Sequence, residues 1–196
     1  MLNVVLVEPE IPANTGNVGR TCVLAGARLH LVGPLHFSLS DEAVRRAGLA
    51  YWESLDLHVY DSWEDFVTQC GLLDDMAGLV PSVHLLTKAG SRRHSDATYQ
   101  DGDWLIFGKE SSGLDQALLD ENQMRCERIP MLGDDALEGA DGWHKRFDEQ
   151  HPELERDICG NFVDRRAGWI TSLNLSNAVA IVLFEALRQL DYPGMH

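Results

Sequence analysis

No stretch of this 196-residue chain holds the roughly 18 consecutive apolar residues that a membrane helix needs. The N-terminus shows neither a basic n-region nor an A-x-A-like cleavage site, so no secretory signal is expected and a cytoplasmic location is predicted. Four cysteines, Cys22, Cys70, Cys126 and Cys159, are widely scattered. None forms a C-x-x-C pair, which argues against a zinc knuckle or a thioredoxin-like centre and predicts reduced, structural thiols. No H-E-x-x-H occurs either. His144 and His151, with Glu149 between them, do not have the spacing of a metal site, and no metal is expected. Basic residues are scarce: 16 Lys and Arg face 31 Asp and Glu, a formal net charge of -15. Such a surface opposes non-specific binding to a phosphate backbone and argues against a general nucleic-acid coat protein. A local basic pocket stays possible, because charges act over only about 8–10 Å in physiological salt.

The apolar fraction of 44% and the charged fraction of 24% are those of an ordinary globular domain with a real core. Strand and helix alternate along the chain. Leu2–Val7 reads as a buried strand, Val18–Ala25 as a helix opening from a polar turn, and Arg28–Val32 as a strand ended by Gly33-Pro34. Asp41–Ala47 reads as a helix with Ser40 or Asp41 as its cap. Leu57–Tyr60 is a strand, and Ser62 caps a helix to Gln69 with Asp65 three residues on, a variant of the capping box. Val83–Thr87, Trp104–Gly108 and Arg128–Met131 read as strands, and Asp115–Asn122 as a helix. A long helix spans Asn174–Leu190, stopped by Tyr192-Pro193-Gly194. This order predicts an α/β fold with a mostly parallel sheet flanked by helices on both faces. The stretch 133–170 is charged, glycine-containing and weakly periodic. It reads as an insertion in a single domain, with helix possible around Trp143–Gln150 and Pro152–Ile158.

Three stretches join an apolar segment to a polar loop and then to a helix, the place where open α/β sheets bind ligands. In "EPEIPANTGNVGRTC", Asn17 and Arg20 are i, i+3 neighbours once a helix starts near Asn14 or Thr15, and Gly16 and Gly19 let another backbone come close. A capping asparagine and a solvated arginine would account for the same residues. "DGDWLIFGKESSGLDQALLD" is neither a P-loop nor a G-x-S-x-G elbow, but its turn after Gly108 offers backbone N–H groups, as an ordinary strand-to-helix turn also would. In "TSLNLSNAVAIVLFEALRQL", Asn177 sits in a helix although asparagine favours caps. The pairs Arg45-Arg46, Arg92-Arg93 and Arg165-Arg166 read as solvated charge or as phosphate contacts, and Trp143 and Trp169 as packing residues.

Together the stretches resemble the motifs of the SPOUT, or trefoil-knot, RNA methyltransferases. The likeness is nearest to the small tRNA (cytidine/uridine-34-2'-O)-methyltransferases. "RRAGLAYWE", "RIPM" and "YPG" fall in the same order at matching spacing, and the likeness covers nearly everything outside 133–170. Phe184 stands where relatives tend to carry tyrosine, and Ser112 where some carry arginine. The resemblance implies a C-terminal trefoil knot, a homodimer, S-adenosylmethionine as cofactor and tRNA as the substrate partner, with methylation of the wobble nucleotide 34 of leucine tRNAs. Another tRNA position, rRNA, or a non-catalytic cofactor- and RNA-binding dimer are the alternatives. By position it implies a cofactor pocket of Leu86, Thr87, Gly108, Glu110, Ile129, Met131, Ser172 and Leu173, and an RNA side of Asn14, Asn17 and the catalytic Arg20.

Overall fold

The computed structural model describes residues 1–39, 49–74, 78–80, 82–131, 163–164, 169–170 and 172–196. Strand β1 (Asn3–Val7) leads into helix α1 (Pro12–Ala25) and strand β2 (Arg28–Val32). Helix α2 (Leu49–Trp52), strand β3 (Leu57–Tyr60) and helix α3 (Trp63–Gln69) follow. A small antiparallel ribbon of β4 (Leu73–Asp74) and β5 (Gly78–Leu79) precedes β6 (Val83–Leu86) and β7 (Arg92–Arg93). Then come β8 (Trp104–Phe107), helix α4 (Gln116–Glu121), β9 (Cys126–Arg128), the hairpin strands β10 (Val163–Asp164) and β11 (Trp169–Ile170), and helix α5 (Leu175–Gln189). The main sheet has seven strands in the order β3-β2-β1-β8-β6-β9-β7, and every pairing in it is parallel.

Strict alternation along the strands builds the two faces. Val4, Leu6, Leu29, Leu31, Leu105 and Phe107 pack with Val18 and Cys22 of α1 and Val179, Val182, Leu183 and Ala186 of α5. Val5, Val32, Leu85 and Ile106 point the other way, into a cluster with Phe66 of α3 and Leu119 of α4. A parallel strand covered on both faces has no polar side, which is why β1 reads as an unbroken apolar run. Asn3 and His30 are exceptions, buried but bonded to each other: His30 Nε2 lies 3.2 Å from Asn3 Oδ1 and Nδ1 lies 3.0 Å from the Tyr60 hydroxyl.

The sequence places β2 and β3 to the residue, and α3 with its Ser62 cap. Ser62 Oγ accepts from Asp65 N at 3.2 Å, while Asp65 reaches back to Asp61 N rather than to Ser62 N. Two elements differ by more than one residue at a boundary. Helix α1 begins at Pro12, six residues before the expected Val18, with proline in its first turn where no N–H is needed. Strand β9 occupies Cys126–Arg128 rather than Arg128–Met131, because Pro130 has no N–H to give to a ladder. The expected helix at 41–47, Cys159, and the expected helical pieces of 143–150 and 152–158 lie outside the described residues. Cys22, Cys70 and Cys126 are free thiols.

The chain divides into two compact units, one of Met1–Ile129 with Leu175–His196 and one of Pro130–Asn174. Within the second unit β10 and β11 pair antiparallel, Val163 opposite Ile170 and Asp164 opposite Trp169. Among the described residues no helix is long and apolar enough to cross a membrane, and no cluster of side chains could hold a metal ion.

Candidate active site

Both β1 and β8 end in loops at the carboxyl edge of the sheet, and the two loops are tied together. At Glu8 the chain turns sharply with φ +48°, a left-handed conformation that costs free energy in a residue with a side chain. Glu8 Oε2 accepts from Lys109 Nζ at 2.7 Å. Two residues on, Glu10 accepts from the backbone N–H and the hydroxyl of Ser111 at 2.8 and 2.9 Å. The reverse bonds come from Glu110. Its carboxylate accepts from the N–H of Glu10 at 2.8 Å, the N–H of Ile11 at 3.3 Å and Asn14 Nδ2 at 2.9 Å. Helix α1 has Ile11 at its N-cap, a side chain that cannot accept a hydrogen bond. Glu110 instead accepts from the N–H groups just ahead of the first helical residue and adds a negative charge near the positive end of the helix dipole.

The loop after β8 is correspondingly tight. Gly108 lies against the backbone of Gly113 and Leu114 with no space for a Cβ, and Gly113 donates to the carbonyl of Lys109 at 2.8 Å. The N–H groups of Ser111 and Gly113 are thus committed within the protein, and the turn is not the open anion cradle its glycines suggest. Glu110 likewise has its carboxylate engaged, which leaves its backbone as what it can offer a ligand.

On α1, Asn14 and Thr15 are buried and Asn17 and Arg20 are exposed. The Arg20 guanidinium sits 5.5 Å from the centre of the Tyr51 ring, and the Tyr51 hydroxyl donates to the carbonyl of Gly16 at 2.7 Å. What approaches Gly19 is not backbone, as the sequence suggests, but side chains: a Cβ there would come within 3.1 Å of Trp52 and 3.2 Å of Leu55. Helix α2 therefore braces the helix that carries Arg20, and aromatic contact holds the guanidinium without neutralising it. Tyr51 is the residue that the sequence alone did not single out here. Its signal is only a tyrosine beside a tryptophan.

Leu86 ends β6, and Thr87, Gly108 and Ile129 follow β6, β8 and β9, three adjacent strands in register. These positions are neighbours at the same sheet edge, and Leu86 and Ile129 are partly buried against the core. An apolar floor with backbone groups around it suits an adenine-bearing ligand. Met131, Ser172 and Leu173 belong to the second unit. A cleft of about 610 Å³ opens instead on the far side of the Lys109 loop, lined by Glu8, Ser62, Trp63, Ser112 and Asp115 among others. Its polar groups are largely taken: Glu8 pairs with Lys109, Ser62 caps α3, and Asp115 accepts from the N–H groups of Ala117 and Leu118.

Residues 1–136 match the SpoU rRNA Methylase family. The chain belongs to that family. A tRNA (cytidine(34)-2'-O)-methyltransferase of Burkholderia pseudomallei is 40% identical over 196 residues, which cover 99% of both chains. A solved structure concerned with the 2-OH methylation of C/U34 on tRNA superposes with a TM-score of 0.70 at 32% identity, over 97% of both chains. An AdoMet-bound rRNA methyltransferase from Sinorhizobium meliloti gives a TM-score of 0.66 at 25% identity, covering 96% of this chain and 56% of that one.

Proposed function

We propose that this protein is an S-adenosylmethionine-dependent tRNA 2'-O-ribose methyltransferase acting on the wobble nucleotide 34. The observation that carries the reading is the Glu110 joint. It fixes the helix bearing Asn17 and Arg20 to the loop beside Gly108, so the exposed cation and the candidate cofactor edge belong to one rigid frame. The full-length likeness to a tRNA (cytidine(34)-2'-O)-methyltransferase supports the choice of substrate. The trefoil knot, the single domain with an insertion at 133–170, the cytoplasmic setting and the homodimer belong to the same reading.

Leu86, Thr87, Gly108, Glu110 and Ile129 would hold the cofactor by apolar walls and backbone groups. When bound, S-adenosylmethionine supplies an electrophilic methyl group to the ribose oxygen. Arg20 does the positioning: a guanidinium offers paired N–H donors to a phosphate oxygen and a 2'-hydroxyl, and does not serve as a base. The hydroxyl proton then passes to the phosphate that Arg20 holds. Asn17, one turn before Arg20 and equally exposed, contacts the same nucleotide, and Asn14 keeps the helix seated on Glu110.

The test is transfer of labelled methyl groups to unmodified total tRNA, followed by nuclease mapping. Label at 2'-O-methylated position 34 is expected. Label at another nucleotide overturns the wobble assignment, and no transfer despite cofactor binding favours a non-catalytic scaffold. Arg20→Ala is expected to lower kcat at least about 100-fold, the scale of a lost positioning contact, with the melting temperature nearly unchanged. Arg20→Lys should keep the charge yet lose most of that activity.

A further inference from the structure

The loop that follows β6 is held by one neighbouring strand. Thr87 donates its N–H to the carbonyl of Glu127 at 2.9 Å. Gly90 lies so close over Glu127 that a Cβ would come within 2.5 Å of that residue's carbonyl carbon. Arg128 Nη1 donates to the carbonyls of Gly90 at 2.6 Å and Ser91 at 2.9 Å. Immediately beyond, β7 pairs Arg92 with Glu127 and Arg93 with Arg128, and Arg92 Nη2 donates to Glu127 Oε1 at 2.6 Å. These anchor points, spread over residues 87 to 93, fall on two successive residues of β9.

The anchor is itself stiff. Glu127 is wholly buried. Its carboxylate also meets His84 Nδ1 at 2.8 Å and accepts from the Tyr99 hydroxyl at 2.9 Å, and His84 Nε2 faces Asp103 Oδ2 at 3.1 Å. Burial alone would keep the imidazole neutral, but the two flanking carboxylates raise it to about 9. Two acids, Glu127 and Asp103, are thus matched by two cations, His84 and Arg92. Such a cluster is costly to unpair. It is tied to α5 through Tyr99, whose N–H donates to Gln189 Oε1 at 3.0 Å. Arg92, which the sequence allowed as a phosphate contact, is committed to this assembly together with Arg128.

We propose that Glu127 and Arg128 are positioning residues for the cofactor. They fix the path of residues 86–91 against the wall made by Ile129 and so set affinity for the adenosyl ligand without touching it. This rests on the placement of the cofactor at Leu86, Thr87 and Ile129.

Arg128→Ala in the full-length protein tests it, because this side chain is only partly buried and its bonds reach two backbone carbonyls. Titration calorimetry with S-adenosylmethionine should show Kd raised about tenfold, with KM for the cofactor rising in parallel. At saturating cofactor kcat should stay within about threefold, and KM for tRNA should not move. Arg128→Lys, whose shorter side chain keeps the charge but not the position of Nη1, should fall between. An unchanged Kd overturns the proposal, as does a fall in kcat that merely follows the melting temperature. A rise in KM for tRNA alone would make Arg128 an RNA contact instead. Ile129→Trp, which fills the expected cofactor wall, separates the two ways of failing. If it leaves cofactor binding intact, the cofactor placement falls and this proposal with it. If it abolishes binding while Arg128→Ala leaves Kd unchanged, only the role of β9 falls.

Discussion

Two buried histidines of one sheet, separated by two strands, are driven in opposite directions by their surroundings. His30 has only neutral groups on its ring nitrogens, the Tyr60 hydroxyl and Asn3 Oδ1. Burial first, and the charge of His58 second, push it down to about 3. The neutral ring therefore donates from Nε2 to Asn3 and accepts at Nδ1 from Tyr60, which in turn accepts from the Cys70 thiol at 3.3 Å. His84, between two carboxylates, holds its proton to about 9. The consequences for stability differ in sign. His84 binds its proton more tightly folded than unfolded, so its contribution is complete below pH 6.5 and is lost as the pH rises toward 9. His30 resists a proton that the unfolded chain accepts, so the fold weakens as the pH falls from 6.5 toward 3. Urea denaturation of wild type and His84→Gln at pH 6.5 and pH 9.5 checks the first effect. The wild type should lose more stability between the two pH values than the variant does, and equal losses would show that His84 is not charged in the fold.

At the scale of the element, α1 depends on a residue far along the chain. Its N-cap side chain, Ile11, makes no cap hydrogen bond, and Glu110 holds the entry to the helix through the N–H groups of Glu10 and Ile11 and the Asn14 amide. Its other end needs no help: Gly26 adopts φ +62° and Ala27 donates to Cys22 O at 2.9 Å, a Schellman closure. Replacing Glu110 by Gln turns one acceptor oxygen into a donor facing another N–H. The expected cost is about 2 kcal/mol, the scale of a lost charged cap. Methyl transfer should fall further than stability does, because Arg20 rides on the helix that loosens. Equilibrium denaturation beside single-turnover kinetics checks both. Full activity in a destabilised Glu110→Gln would mean that the joint serves folding alone.

At the scale of the molecule, the surface is acidic with a net charge of -15, yet α1 and α5, which pack side by side, leave large apolar side chains uncovered. Leu24 is 74% exposed, Phe184 43% and Ile181 40%. On α5, Asn177, Ile181, Phe184 and Arg188 follow one another at i, i+4, i+7 and i+11, a stripe opposite the buried Val179, Val182, Leu183 and Ala186. The apolar pair Ile181 and Phe184 at the middle of this stripe is the patch that a second copy of the chain would cover in the proposed dimer. Ile181→Asp should leave the fold intact and convert the dimer to monomer at micromolar concentration in analytical ultracentrifugation. A wild-type protein that sediments as a monomer would remove the dimer from the proposal.

The sequence by itself determined the parts of this protein that depend on neighbours in the chain. Short apolar and β-branched runs set β1, β2 and β3, the Ser62-to-Asp65 spacing set α3, and the alternation of strand with helix announced a sheet covered on both faces. The ordered motifs were enough to indicate the family. Tertiary structure alone brought Glu110, from the loop after β8, to the start of α1, where it accepts from the N–H groups of Glu10 and Ile11. It alone committed the Lys109 loop to Glu8 and Glu10, put Trp52 rather than backbone against Gly19, and buried Glu127 beneath the loop after β6. The physical reason is common to all of these. Periodicity and capping are short-range signals written within a few residues, whereas a buried carboxylate is tolerable only beside partners that the folded sheet brings together.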